Sequence, residues 1–329
     1  MKSGELARIA LLARVLGVDA SKDGVVLGIG DDAAVLDLAS MPDEGDESDE
    51  GAARLVWTVD AQVDGTHFRR DLCSWEDVGW RSFMAAANDV AAMGARAWCA
   101  LSSLVLAPEV TDEELEALAR GQRAASDAVG APVVGGNLAR GAPSSVTTTL
   151  LGTCTRVLTR GGGRAGDALF LAGDVGLAAG GLRARERGLT DARLDIAIAA
   201  WARPHARFAE GRRMAASEAA HAAIDVSDGL ARDVLHLANA SGLRAVLDAR
   251  LLRDACGEPL AGVAAALGVD ALELALHGGE DYALVLAASA PVVGFVKIGE
   301  LRQGEGLALR SADGSERALD AGGFDHFAR

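Results

Sequence analysis

The chain is poor in lysine, in aromatic rings and in paired cysteines, and each scarcity removes a class of function. Lys2, Lys22 and Lys297 are its only lysines in 329 residues, and the formal charge is −15. A nucleic-acid binder needs a basic face to displace counterions, so that class is excluded. No glycine directly precedes a lysine and no HRD or DFG triplet occurs, which excludes the Walker A loop and the protein-kinase signature. Cys73, Cys99, Cys154 and Cys256 lie far apart with no CxxC pair. They read as reduced thiols of a cytosolic protein, with no zinc ribbon and no disulfide framework. No apolar run approaches a membrane span, and 1–18, an amphipathic stretch carrying Glu5, Arg8 and Arg14, reads as a helix and not a signal peptide. Seven Phe, five Trp and one Tyr against forty Gly point to tight turns and close backbone approaches rather than large aromatic cores.

What the chain does have is acid in costly places. Asp31 and Asp32 sit behind glycines and before small apolar residues in GIGDDAAV, 28–35. Asp60 follows Thr58-Val59, Asp89 follows Asn88 and precedes Val-Ala-Ala-Met-Gly, and Asp225 and Asp228 frame Val226-Ser227 before Gly229. Each alone reads as well as a capping or turn aspartate. Together they repel and lose solvation, and divalent metal is the simplest compensation. With so few lysines, bound magnesium would supply most of the positive charge that a nucleoside triphosphate needs.

Length suggests two domains, with a boundary at the glycine-rich 158–167: 1–157 and 158–329. Residues 55–63 alternate as a strand, placing Thr58, Asp60 and Gln62 opposite Val59 and Ala61. Ser74 with Asp77 and Thr111 with Glu114 open two helices, ending near Gly94 and Gly130. A short strand 133–136 is expected to run into a glycine turn, a threonine-rich strand covers 146–157, and 41–51 reads as an acidic loop. In the second half, strands at 168–172, 222–226, 244–247, 282–287 and 293–298 accompany helices to about 187, through 216 and from 230. The helix beginning after Ser227-Asp228-Gly229 would offer backbone N–H groups to a phosphate or its metal.

GIGDDAAV, VDGTHF at 63–68, NDVAAMGA at 88–95, IDVSDGL at 224–230 and GGEDY at 278–282 occur in fixed order. In order and spacing they resemble the thiamine-monophosphate kinase family of the aminoimidazole-ribonucleotide synthetase-like ATP-binding superfamily, over nearly the whole chain. The resemblance implies an α/β fold of two domains: an amino-terminal mixed sheet with helices on one face that binds metal and ATP and dimerises, and a larger carboxy-terminal α/β domain that binds substrate and ATP. It implies magnesium held by Asp32, Thr58, Asp60, Asp89, Asn137, Asp225 and Asp228, ATP met by Gly136, Asn137, Arg160 and Ser227, and thiamine monophosphate met by His67, Glu280 and Phe324. No covalent nucleophile is expected; transfer is direct and in line, in a cytoplasmic homodimer.

One position departs. Asn137 stands where the family pattern Gly-Gly-Asp-x-x-Arg-Gly has its acid. Two other readings stay open. The first is another superfamily enzyme, although no amino-terminal cysteine with nearby lysine marks a selenophosphate synthetase and no cysteine-bearing tail marks a hydrogenase-maturation relative. The second is a decayed nucleotide- or thiamine-phosphate-binding protein, for which Asn137 is the sole support.

Overall fold

The computed structural model describes residues 11–12, 14–16, 25–27, 35–36 and 54–322. The expectations for 1–10, for the acidic stretch with Asp32, for the loop 41–51 and for the tail with Phe324 fall outside them. The chain divides into two compact units, Met1–Val90 with Ala95–Thr155, and Ala91–Gly94 with Arg156–Arg329.

The first unit holds a short antiparallel pair, β1 (Val25–Leu27) and β2 (Val35–Leu36), and a four-stranded sheet. The sheet's strands are β3 (Arg54–Val63), β4 (Arg96–Leu106), β5 (Val133–Arg140) and β6 (Ser145–Cys154), in the order β3-β6-β4-β5. β6 pairs antiparallel with β3 and β4, whereas β4 and β5 are parallel, so the sheet is mixed. Helices α1 (Trp75–Ala92) and α2 (Asp112–Val129) cover one face. From α2, Gln122 Nε2 donates to Ser102 Oγ of β4 at 2.7 Å. Burial follows the pleat: Val146, Thr148 and Leu150 of β6 are buried, and the residues between them are not. The other face is open and apolar, with Leu55 56% exposed, Trp57 71% and Val59 66%.

Both helices begin as their capping residues dictate. Asp77 N–H donates to Ser74 Oγ at 3.1 Å, and the Thr111–Glu114 box closes reciprocally. Gly130 ends α2 in the left-handed region at φ 77°. The two helices touch backbone to backbone: a Cβ on Gly79 would lie 2.0 Å from the Leu118 carbonyl oxygen, and one on Gly121 would lie 1.9 Å from that of Glu76.

The second unit is built on a seven-stranded sheet in the order β13-β12-β9-β11-β7-β10-β8. Its strands are β7 (Ala168–Ala172), β8 (Ala220–Val226), β9 (Arg244–Asp248), β10 (Ala283–Ala288), β11 (Val296–Arg302), β12 (Leu307–Arg310) and β13 (Glu316–Ala318). The helices are α3 (Leu177–Glu186), α4 (Asp195–Ala202), α5 (Phe208–Ala215), α6 (Leu230–Ala240), α7 (Ala249–Leu267) and α8 (Ala271–His277). Ile224, Val226, Val285 and Leu171 pack with Leu230, Val234, Leu252, Val263 and Leu274 in the main core. Phe170, Ala223, Leu284 and Leu286 form a second layer with Met214 and Phe295. Both faces of the central strands are thus covered, which is why Ala283–Ala288 shows no polar alternation.

Two expectations give way. Gly135 and Gly136 do not form a turn: β5 continues to Arg140 because Ser102 and Ser103 of β4 pair alongside Gly136 and Asn137. The threonine-rich strand ends at Cys154, three residues early. Helices α7 and α8 and strands β12 and β13 go beyond what the sequence predicts, since their alanine-rich or short segments carry weak periodicity.

Candidate active site

In the first unit the pleat of β3 turns Thr58 and Asp60 toward the helix-covered face, as their alternation predicts. α1 brings Asp89 to Thr58, whose Oγ1 donates to Asp89 Oδ2 at 2.6 Å. Asp60 stands one pleat further along the same face, opposite Thr148 of β6. Among the described residues no three of His, Cys, Asp and Glu gather into a cation cage. The donors present are a hydroxyl and two carboxylates, all hard oxygen. Such a partial set suits magnesium, which keeps several waters and takes further ligands from substrate phosphates.

His67 follows β3 in a turn. Its Nδ1 accepts the Val63 N–H at 3.1 Å, so the neutral ring carries its proton on Nε2. Behind it, Phe68 packs edge-on against Trp75 at 6.2 Å, with the Arg70 guanidinium over the Trp75 ring at 5.0 Å.

Asn137 does not join Thr58, Asp60 and Asp89 within one chain. β3 and β5 are opposite edges of the sheet, with β6 and β4 between them, a separation of roughly 14 Å at ordinary strand spacing. Pairing of Asn137 with Ser103, of Ser103 with Thr147, and of Thr147 with Ala61 puts Asn137 on the open face. Gly136 lies so close to β4 that a Cβ would meet the Ser102 carbonyl oxygen at 1.7 Å.

In the second unit two of the motifs interlock. β8 carries Asp225, 6% exposed and paired with Leu284 of β10, ends at Val226 and then turns through Ser227, Asp228 and Gly229 into α6. The GGEDY turn crosses it: Glu280 N–H donates to the Ser227 carbonyl at 2.7 Å, and Tyr282 N–H to that of Val226 at 2.8 Å. The crossing explains a glycine, because a Cβ on Gly279 would come within 2.6 Å of the Ser227 oxygen. Glu280 and Tyr282 take φ values of 64° and 49°, rare for side-chain-bearing residues and a mark of a conformation imposed from outside. Glu280 Oε2 in turn accepts from the buried Trp201 indole N–H at 3.2 Å.

Arg160 lies exposed on a turn beside β8, where the neighbouring Thr159 carbonyl accepts from Ala223 N–H at 2.9 Å. Its own carbonyl accepts from Ser241 Oγ at 3.2 Å.

Two carboxylates to which the sequence reading gave no role hold these turns in place. Asp233, 5% exposed, accepts from the N–H groups of Ser227, Asp228 and Gly229 at 3.0, 3.1 and 3.1 Å, all on Oδ2. The amides expected to meet a phosphate are therefore occupied by the chain's own acid. Burial pushes the Asp233 carboxyl up to about 7, the Asp228 charge adding to it and the three N–H groups opposing. Asp281 caps α3 from a distance, since Gly176 lacks a capping side chain: Oδ2 accepts from Gly176 N–H at 2.7 Å and Oδ1 from Ala178 N–H at 3.0 Å. Burial raises it to about 7 as well, against those two hydrogen bonds and with Asp174 and Glu280 adding. The sequence held one trace of each, an acid at the fourth helical position after Gly229 and an acid directly after Glu280.

Residues 30–155 match the amino-terminal domain model of AIR synthase related proteins, and 164–309 match the carboxy-terminal one. A thiamine-monophosphate kinase of Mycobacterium tuberculosis is 33% identical, across 95% of this chain and 89% of its own length. The crystal structure of thiamine-monophosphate kinase from Stenotrophomonas maltophilia K279a superposes with a TM-score of 0.76 at 30% identity, covering 95% of this chain and 98% of that one. A ThiL structure complexed with AMPPCP and TMP gives 0.77 at 26% identity and covers 99% of both chains. The chain thus belongs to the AIR synthase related proteins and, among them, to the thiamine-monophosphate kinase family.

Proposed function

We propose that this chain is a thiamine-phosphate kinase that transfers the terminal phosphoryl group of ATP to thiamine monophosphate, giving thiamine diphosphate and ADP in the cytoplasm. The observation that carries the reading is the full-length likeness to thiamine-monophosphate kinases. Magnesium, when bound, neutralises charge on the moving phosphoryl group. Thr58, Asp60 and Asp89 of the first unit are assigned to magnesium; Asp225 and Asp228 of the second unit, taken by themselves, are assigned to it too, as is Asp32. Ser227, Gly136 and Arg160 are assigned to ATP, and His67, Glu280 and Phe324 to thiamine monophosphate. Glu280 suits a cationic heterocycle, because Trp201 and the Ser227 carbonyl fix its direction before ligand arrives. No side chain is asked to form a covalent intermediate.

The open face of the first sheet supports a homodimer. Leu55, Trp57, Val59 and Leu101 lie uncovered on it, an apolar surface of the kind that marks a protein interface. Asn137 shares that face, so a role for its amide in phosphate transfer requires a second copy to present it.

A coupled assay of ADP release tests the function. Turnover is expected with ATP, magnesium and thiamine monophosphate together, and is expected to vanish in excess chelator or with unphosphorylated thiamine. Equal turnover with plain thiamine, or none under any condition in the folded protein, would overturn the reading.

A further inference from the structure

We infer that Asp233 is a positioning residue that plugs an anion cradle: it fills the three N–H groups of Ser227, Asp228 and Gly229 and so leaves phosphate to be held through metal and side chains. The inference rests on the assignment of Ser227 and Asp228 to the metal and nucleotide. Three consecutive amides aimed at one point, at the start of α6, form the usual seat of a phosphate oxygen. Here a single carboxylate oxygen from the fourth helical position, almost wholly buried, takes all three. Gly229, at φ 126°, lets the backbone curl around it, and the Gly278 carbonyl oxygen stands 3.1 Å from where a Cβ on Gly229 would lie.

The consequence is a selection rule. An anion without a cation meets a filled cradle beside the carboxylates of Asp225 and Asp228. An anion carrying magnesium meets ligands. Asp233 also ties the loop that presents Ser227 and Asp228 to the first turn of α6, so their direction does not await ligand.

The test removes plug and charge separately. Asp233→Asn loses the charge but keeps an acceptor oxygen for the amides, whereas Asp233→Ala frees them. Inorganic pyrophosphate is titrated into each protein by calorimetry in excess chelator, a readout independent of catalysis. Asp233→Ala is expected to bind at least about tenfold more tightly than parent or Asp233→Asn, since freed helix-start amides favour anions. Equal gains in both variants would mean charge alone is at work, and no gain in either would mean no cradle; each overturns the inference. Should Asp233→Ala fail to fold, the same pyrophosphate titration on Asp233→Ser decides: the shorter side chain cannot span the three amides, so binding about tenfold tighter than in Asp233→Asn is expected, and binding no tighter than in Asp233→Asn overturns the inference. A parent that fails to release ADP overturns the proposed function while leaving the pyrophosphate comparison intact.

Discussion

At the scale of single residues, the acids that shape the second unit's site are the ones that hold backbone. Asp281 keeps the GGEDY turn and the start of α3 together, and its carboxyl lies at about 7 where an unfolded chain has about 4. Between those values the folded protein holds a proton that the unfolded chain releases. The stabilising contribution is therefore complete on the acid side, falls as pH rises from about 4 to 7, and stays level above. A tenfold difference in proton affinity is worth about 1.4 kcal/mol, so the change is at most about 4 kcal/mol. Asp233 contributes with the same sign. Melting temperatures at pH 5 and pH 8 should thus differ more for the parent than for Asp281→Asn, in which one titrating group is gone and one acceptor for the α3 amides remains. Equal differences would show Asp281 ionised in both folded and unfolded chains.

At the scale of elements, α1 and α2 bring their backbones together at Gly79 and Gly121. Alanine at Gly79 or Gly121 would put a methyl group about 2 Å from a carbonyl oxygen of the facing helix. The helices would have to separate, and each variant should lose roughly 1–3 kcal/mol, read as a lower denaturant midpoint at unchanged slope. A neutral result would show that the helices slide freely. The sequence made such elements legible where one signal dominates. Ser74 with Asp77 and Thr111 with Glu114 announce helix starts, and the alternation of Thr58, Asp60 and Gln62 is the pleat of β3 itself. It was silent where tertiary pairing decides. Gly135-Gly136 has the composition of a turn, yet β4 keeps it extended. Asn137 stands where the family pattern leads one to expect a ligand, yet pairing register places it on the open face. Asp233 looks like an ordinary helical acid, and only the fold reveals three amides around one of its oxygens. The motifs nominate residues; the sheets decide which of them meet.

At the scale of the whole molecule, the −15 charge and the uncovered sheet face point in opposite directions, one toward repulsion and the other toward pairing. Local chemistry favours pairing, because the large side chains bare on the sheet are Leu55, Trp57 and Val59, not acids. Trp57→Glu, a charge set at the centre of that patch, is expected to sediment as a monomer with its fold intact and its ADP release largely lost, since Asn137 would no longer be offered across a subunit boundary. A variant that stays dimeric, or a monomer with full turnover, would show that this face is not the interface or that pairing is incidental to the chemistry. Completion of that sheet by a second copy would make catalysis answerable to mass action. Turnover per chain would then fall on dilution, recover on concentration, and show a lag in assays begun from dilute stock, so the cell would set this enzyme's specific activity through abundance as well as through substrate.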